Sequence, residues 1–246
     1  LSKLIINDGT INGSAYGGGK GTTANIISGA VGKSILIISN GTISGNAYGG
    51  GGLALVGSIT IDLDETSGKD HQMQSSKNDS SSTLVILGGS IGNVYGGGFG
   101  PRAVINGSTY VLVGKQNAVS NYPSDINDLS QSLITITENV YGGGEMGSVG
   151  FIAFSTGDNG VPSFTSEGYT GPVDDKGNSV QLGSNIIIAL NSKSITINGN
   201  VYGGGKGGDL YTVTEGELRT YYTSLADIPA ADGSNYTTRF GYAIVH

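Results

Sequence analysis

The chain has 246 residues, a formal net charge of −7, 45 glycines and no cysteine. Its 12 Lys and Arg residues are dispersed along the sequence, which argues against nucleic-acid binding, because such a site needs clustered cations to displace counterions from phosphates. No apolar run approaches the ~20 residues of a membrane-spanning helix, and the lack of cysteine excludes disulfides and thiolate chemistry.

Short segments rich in Ile, Leu, Val and Thr recur along the chain and predict β-strands. Glycine-rich and polar stretches separate them, as turns separate strands. In chain order the segments are LIIN at 4–7, SILIISN at 34–40, GSITIDL at 57–63, TLVIL at 83–87, TYVLV at 109–113, LITIT at 133–137, NIIIAL at 185–190 and SITING at 194–199. The pattern indicates an all-β protein.

A tyrosine followed by three glycines occurs five times. The residue before the tyrosine is always Ala or Val, and an isoleucine lies five residues before it in four copies and four residues before it, at Ile91, in the third. Repeats of this size are typical of solenoids and propellers, in which each unit buries its apolar face against its neighbours. The tyrosines are Tyr16, Tyr48, Tyr95, Tyr141 and Tyr202. Successive tyrosines are therefore 32, 47, 46 and 61 residues apart.

These repeats predict a right-handed parallel β-helix, with a β-propeller as the alternative. Alternate side chains of a strand point to opposite faces, so the isoleucine and the Ala or Val of each copy can face inward and stack as two columns. We interpret the five tyrosines as structural, stacked over the bare glycine corner with their hydroxyls in water. The glycines are expected to permit a sharp turn or a close approach of the next coil.

The repeat pattern divides the chain into a β-helix domain over residues 1–207 and a capping segment over 208–246. The capping segment is richer in tyrosine and charge, and its stretch SLADIPAADG at 224–233 is a candidate helical turn. Within the repeat domain, polar insertions lie near 62–82, 114–132 and 155–184. Their similar distances from the preceding tyrosine predict that all three leave one corner of the stack, where repeat proteins often carry their binding face.

Aromatic residues in these polar insertions are the candidate ligand contacts, because they can pack on a sugar ring or a partner protein. They are Tyr122, Phe164 and Tyr169, and the neighbouring acids Asp174 and Asp175 are added as polar contacts. Two simpler interpretations stay open. The aromatic side chains can instead pin down their own loops, and the acids can be solvated surface groups.

Catalytic and metal sites find little support in the sequence. GGGKGTT at 17–23 lacks the Ser or Thr that follows the lysine of a phosphate-binding loop, and only one of the five repeats, at Asp209, fits the calcium-binding nonapeptide. The two histidines, His71 and His246, have no second histidine at ligand spacing. We therefore predict no catalytic residue, no metal and no cofactor.

The segment from NGTISGNAYGGG through VGSITIDL, GGSIGNVYGGG and NGSTYVLV resembles the glycine-rich NVYGGG-repeat surface proteins of gut and other host-associated bacteria. Those proteins are similar to autotransporter-type and adhesin-type right-handed parallel β-helices. The resemblance covers roughly residues 1–208 and implies an extracellular or cell-surface location, without catalytic residues to carry over. The start LSKLIIN has no Met or signal-like segment, so we expect the chain to be a piece of a larger protein.

Together these observations predict an adhesin-like or scaffold module of a bacterial surface or secreted protein. Its partners would be a host or microbial glycan, or a host surface protein, bound through the insertions. Two alternatives remain. One is a polysaccharide-degrading β-helix enzyme, a lyase or depolymerase, whose paired carboxylates would come from insertion acids, namely Asp62, Asp64 and Glu65 of the first insertion or Asp174 and Asp175 of the third. The other is a passive stalk or surface-layer unit.

Overall fold

The computed structural model describes residues 1–22, 28–57, 60–61, 71–74, 81–100, 103–105, 107–115, 130–147, 149, 155–156, 162–163, 185–189, 193–207, 209–215, 218–222 and 236–240. In these ranges the regular secondary structure is β-strand. Three five-stranded sheets contain only parallel pairs. The prediction of an all-β, parallel stack is confirmed at this level, and parallel pairing argues against the β-propeller, whose blades are antiparallel.

Sheet A contains the longest strands of the stack, and its strands follow one another in chain order. Their bounds are β1 (Ser2–Ile6), β4 (Ser34–Ile38), β9 (Ser81–Ile86), β12 (Ser108–Val113) and β17 (Asn185–Ala189).

Sheets B and C contain strands of two or three residues in the same chain order. Sheet B consists of β2 (Thr10–Ile11), β5 (Thr42–Ile43), β10 (Gly89–Ile91), β13 (Ile134–Ile136) and β18 (Ile195–Ile197). Sheet C consists of β3 (Ala15–Tyr16), β6 (Ala47–Tyr48), β11 (Val94–Tyr95), β14 (Val140–Tyr141) and β19 (Val201–Tyr202). Each tyrosine repeat thus supplies one strand to each sheet, and we call these sets of three strands layers 1 to 5.

The register of the sheets pairs equivalent positions of the repeats. Each motif tyrosine pairs with the next, and so does the Ala or Val before it. Ile91 pairs with Ile43 and with Ile136, although the sequence places it one residue closer to its tyrosine. The turn before Val94 is one residue shorter than in the neighbouring layers, and this shortening keeps Ile91 in its column.

The core lies between the three sheets and consists of aliphatic columns, as the repeat alignment predicts. Ile43, Ile91 and Ile136 are buried, as are Ala47 and Val94. Each buried aliphatic side chain stabilises the fold by roughly 1.5–3 kcal/mol relative to exposure. A further column joins the layers outside the named strands through parallel bridges, and it comprises Val31, Val56, Ile105 and Val149.

The middle strands of sheet A, β4, β9 and β12, are buried on both faces. Leu36 and Ile38 belong to the main core, whereas Ile37 belongs to a second apolar cluster that also contains Val85 and Leu112. A strand covered on both sides needs apolar residues at consecutive positions rather than alternating ones. This explains the uninterrupted apolar run ILII at residues 35–38 of β4.

The motif glycines are required by the close approach of neighbouring layers. A Cβ on Gly17 would lie 2.3 Å from the carbonyl oxygen of Gly49, and one on Gly96 would lie 2.2 Å from that of Gly142. Buried hydroxyls of sheet A donate hydrogen bonds to carbonyls of the motif glycines. Ser82 donates to Gly96 O at 2.6 Å and Thr109 to Gly142 O at 2.6 Å. At the glycine corner, the backbones of neighbouring layers are therefore in close contact, and their carbonyls accept hydrogen bonds from side chains of sheet A.

The insertions leave the stack at two places. The first lies between Val56 and β9 and the third between Val149 and β17, and Val56 and Val149 occupy the same column. The second lies between β12 and β13, at the other end of a sheet A strand. A single shared corner is thus right for the first and third insertions and wrong for the second. The second insertion begins 19 residues after Tyr95, at residue 114, whereas the first begins 14 residues after Tyr48, at residue 62. The second starts later because the sheet A strand β12 comes before it.

The chain beyond residue 208 changes from parallel to antiparallel pairing. Strands β20 (Asp209–Glu215), β21 (Leu218–Tyr222) and β22 (Tyr236–Phe240) form a separate sheet in the order β21-β20-β22. The capping role of this segment stays a prediction, and the candidate helical turn at 224–233 lies outside the described residues.

Gly97→Ala tests the glycine requirement. The new Cβ would lie 2.7 Å from the Gly144 nitrogen and 2.8 Å from its Cα, so backbone has to move. We expect the free energy of unfolding to fall by about 1–3 kcal/mol, measured by urea denaturation. Gly13→Ala is the matched control, because nothing lies within 4 Å of its added Cβ. Equal stability of the two variants would contradict the close-approach explanation.

Candidate functional site: the ladder corner and the joined insertions

The five motif tyrosines form a continuous stacked ladder along sheet C. Neighbouring ring centroids lie 4.8–4.9 Å apart and neighbouring planes differ by 4–11°. Phe99 packs its edge against Tyr48, with ring centroids 5.9 Å apart. The prediction of an aromatic ladder over the glycine corner is confirmed.

The prediction that the tyrosine hydroxyls lie in water is wrong for the middle of the ladder. Tyr48 is 2% exposed and Tyr95 is fully buried. The Tyr48 hydroxyl donates to the Glu145 carboxylate and accepts a hydrogen bond of 2.9 Å from Asn46 Nδ2. The Tyr95 hydroxyl is buried without a hydrogen-bond partner in the described part of the chain.

An asparagine ladder runs beside the tyrosines, two positions earlier in the motif. Asn93 donates from its backbone N, at 3.1 Å, and from Nδ2, at 3.2 Å, to Asn46 Oδ1. Asn139 repeats this arrangement on Asn93 Oδ1, and Asn200 repeats it on Asn139 Oδ1. In layer 1, Ser14 occupies the asparagine position, and its Oγ accepts a hydrogen bond of 3.0 Å from the backbone N of Asn46. Each side chain thus satisfies the backbone of the next layer.

Two glutamates complete the polar side of the corner. Glu138 accepts a hydrogen bond from Asn93 Nδ2. Glu145 accepts from Tyr48 through one oxygen and pairs with Lys206 Nζ at 2.8 Å through the other. This hydrogen bond from Lys206 to Glu145 raises the pKa of the lysine. Glu145 therefore links layers 2, 4 and 5, although the half-exposed ion pair itself contributes little in water.

Burial raises the pKa of the ladder tyrosines. It is the largest cause for Tyr16, Tyr48, Tyr95 and Tyr141. At Tyr48 the hydrogen bond to Glu145 adds to the effect, because the carboxylate holds the phenol proton. All four phenols therefore ionise at a higher pH in the folded protein than an exposed tyrosine does, and the raised pKa is most marked at Tyr48 and Tyr95.

The sequence contains signals for these polar contacts that the repeat interpretation did not use. Asparagine lies two residues before the tyrosine in four of the five copies, at Asn46, Asn93, Asn139 and Asn200. Glu145 and Lys206 each lie four residues after a motif tyrosine, at corresponding positions of layers 4 and 5. Recurrence at a fixed offset is the signal that could have identified the asparagine ladder.

The first and third insertions meet in one antiparallel sheet. Its strands are β7 (Thr60–Ile61), β8 (His71–Gln74), β15 (Ser155–Thr156) and β16 (Pro162–Ser163), in the order β16-β15-β8-β7. The contact between the insertions is the pairing of Ser155 with Gln72 and of Thr156 with His71. We call this four-stranded unit the insertion sheet.

The predicted ligand contacts cannot be placed in either site. Tyr122, Phe164, Tyr169, Asp174 and Asp175 all lie outside the described residues. The candidate catalytic acids Asp62, Asp64 and Glu65 lie there as well. His71 is part of strand β8.

The polar side chains of the ladder corner form hydrogen bonds with one another. Tyr48, Asn93, Glu138 and Glu145 are bonded to other layers, so the ladder is a structural unit rather than an open ligand site. No group of three or more His, Asp or Glu side chains in the described ranges is placed to hold a metal ion. Those ranges also contain no helix long and apolar enough to cross a membrane. Comparisons with protein-family models, with curated proteins and with solved structures find no match.

Replacing single ladder tyrosines by phenylalanine compares the contribution of a hydrogen-bonded hydroxyl to stability with that of a hydroxyl without a hydrogen bond. Tyr48→Phe removes the hydrogen bond to a carboxylate and should cost roughly 1.5–3 kcal/mol of unfolding free energy. Tyr95→Phe removes a buried hydroxyl without a partner and should leave stability unchanged or increase it. Thermal unfolding of both variants and of the parent protein measures the change in stability. Equal destabilisation of the two variants would show that the Tyr95 hydroxyl makes a stabilising hydrogen bond.

Alkaline pH should unfold the protein through the ladder. The pKa of these tyrosines is raised on folding, so the folded state holds more protons than the unfolded state once the pH exceeds about 10. Stability should be constant below that pH and fall above it. Urea midpoints between pH 8 and 11.5, together with tyrosinate absorbance, measure this. Tyr95→Phe should reduce the slope, and ionisation of the buried tyrosines without unfolding would contradict the prediction.

Proposed function

We propose that this chain is a rigid, adhesin-like scaffold module of a bacterial cell-surface or secreted protein, whose insertion sheet is the recognition surface. The observation that carries the proposal is the pairing of β8 with β15, which joins two insertions more than 80 residues apart in sequence. Loops held on a rigid scaffold are the usual place for binding residues. The shared sheet holds the two insertions together in one surface.

We further propose that the layers wind as a right-handed parallel β-helix. Three sheets share one strand order, and each layer passes through sheets A, B and C in turn. Connections between parallel strands of one sheet are right-handed in about 98% of cases. Both points support this winding. The motif resemblance supports the extracellular location and the membership of a larger parent protein.

The partner class we propose is a host or microbial glycan, or a host surface protein. Tyr122, Phe164, Tyr169, Asp174 and Asp175 remain the candidate contacts, because aromatic and carboxylate groups suit sugar rings and hydroxyls. Four of them belong to the third insertion, which carries β15 and β16. We propose a binding role and no catalytic one, because the motif resemblance carries no catalytic residues over to this chain, and Glu138 and Glu145 of the ladder corner are bonded to other layers.

The test is a binding screen on arrayed glycans and cultured host cells with three variants. One replaces residues 62–80 by a short linker, one replaces 155–184, and the control replaces 124–129 of the second insertion, which leaves Tyr122 in place. Because the first two share one sheet, each should lose binding, whereas the control should keep it. Near-ultraviolet circular dichroism of the stacked tyrosines checks that the layers remain folded.

Two results would overturn the proposal. One is binding that survives the loss of either partner of the insertion sheet. The other is an absence of binding to every glycan and cell type by the parent chain, which would favour the passive stalk.

A further inference from the structure

Three Asn–Gly pairs lie in the described part of the chain, at 12–13, 40–41 and 198–199. In such a pair the backbone nitrogen of the glycine can attack the side-chain amide of the asparagine, because glycine has no Cβ to block the approach. A nitrogen whose N–H donates a hydrogen bond within a sheet cannot attack until that bond opens. The hydrogen bonding of the glycine nitrogen therefore decides which pair reacts.

The glycine nitrogen of the pair in layer 5 is bonded to the preceding layer. Gly199 N donates to the carbonyl of Glu138 at 2.9 Å, and Asn198 N donates to the carbonyl of Ile136 at 2.9 Å. Both backbone amides of this pair are thus held in the hydrogen-bond ladder between layers 4 and 5. The pair at 12–13 occupies the same position in layer 1, for which the structure describes no preceding layer.

The glycine nitrogen of the pair in layer 2 lacks this protection. At the equivalent position of layer 3, Gly89 N donates to Leu133 O of the next layer at 2.9 Å. In layer 4, Ile134 N donates to Ser194 O of the next layer at 2.7 Å. Gly41 N makes no hydrogen bond to any residue that the structure describes. The ladder is therefore interrupted at layer 2, and this nitrogen is available as a nucleophile.

Asn40 presents its amide at the surface, next to a carboxylate. The residue is exposed, and its Nδ2 lies 3.4 Å from Asp8 Oδ1 of layer 1. Gly41 has a φ of +105°, which favours glycine. A Cβ on Gly41 would also lie 2.6 Å from the carbonyl oxygen of Gly9. The fold thus requires the glycine that makes this pair reactive.

We propose that Asn40 is a site of spontaneous deamidation in the folded protein, whereas Asn198 is protected. Gly41 N gives its proton to a base in the solvent and bonds to Cγ of Asn40, the Cγ–Nδ2 bond breaks, and ammonia leaves. Water then opens the resulting cyclic imide at either carbonyl carbon, which yields aspartate or isoaspartate. The net reaction replaces an NH₂ group by OH and needs no oxidant or reductant. This inference does not depend on the proposed recognition function.

Both products weaken the contact between layers 1 and 2. The new carboxylate takes the place of an amide that lies 3.4 Å from Asp8 Oδ1, so two like charges face each other. Isoaspartate also lengthens the main chain by one atom directly before β5, where Thr42 N donates to Gly9 O at 2.8 Å. Deamidation is therefore expected to loosen the pairing of β2 with β5 as the protein ages.

Incubation of the full chain at mildly alkaline pH, followed by trypsin digestion and mass spectrometry, measures both sites. Trypsin cleaves after Lys and Arg, so Asn40 lies in peptide 34–69 and Asn198 in peptide 194–206. The chain unfolded in guanidinium is the control, because both glycine nitrogens are free there. Relative to that control, the folded protein should slow Asn198 by about tenfold or more, since its attack needs a local opening. Asn40 should be slowed much less.

Three variants complete the test. Asn40→Gln should abolish the mass gain of peptide 34–69, because attack on the longer side chain needs a less favourable ring. Asn40→Asp, which reproduces the first product, should lower the urea midpoint at low salt, and adding Asp8→Asn should restore it. Equal protection of Asn40 and Asn198 in the folded protein would overturn the proposal. A mass gain that persists in Asn40→Gln would also overturn it, because the reaction would then lie elsewhere.

Discussion

The in-register parallel pairing of the layers is the constraint on which the rest of the structure depends. Neighbouring strands of a sheet lie ~4.7–4.9 Å apart, and the tyrosine rings stack at 4.8–4.9 Å. The backbone therefore fixes the ring spacing, and the rings adopt the nearly parallel planes that this spacing allows. Because each repeat position pairs with itself, every residue must be compatible with a copy of its own position above and below.

That requirement explains the three kinds of residue that recur. Isoleucine and valine pack on their own kind and form the core columns. Asparagine carries a donor and an acceptor in one side chain, so Asn93 can accept from Asn139 while donating to Asn46. A column of aspartates would have acceptors only and would accumulate charge. Glycine is required where the layers approach so closely that a Cβ would overlap a carbonyl oxygen, as at Gly96.

The columns could be predicted from the sequence because they repeat. Alignment on the tyrosines identifies the Ala/Val column and the Ile column, and it even brings Ile91 within one residue of its place. The contact of Tyr48 with Glu145 could not be found in this way, because it joins different positions of two different repeats. The repeat pattern alone therefore predicts that the Tyr48 hydroxyl lies in water, whereas this contact buries it. No periodic signal records a single contact between residues 97 positions apart.

The insertion sheet has a physical origin in the difference between layers. The junction from Ile105 to β12 carries no insertion, whereas the junctions before β9 and before β17 do. The two insertions therefore emerge two layers apart, a separation of about 10 Å at the usual strand spacing, with no insertion between them. Antiparallel pairing across this gap satisfies strand edges that would otherwise stay open. The repeated positions are committed to their own columns, so the recognition surface that we propose lies where the repeats differ.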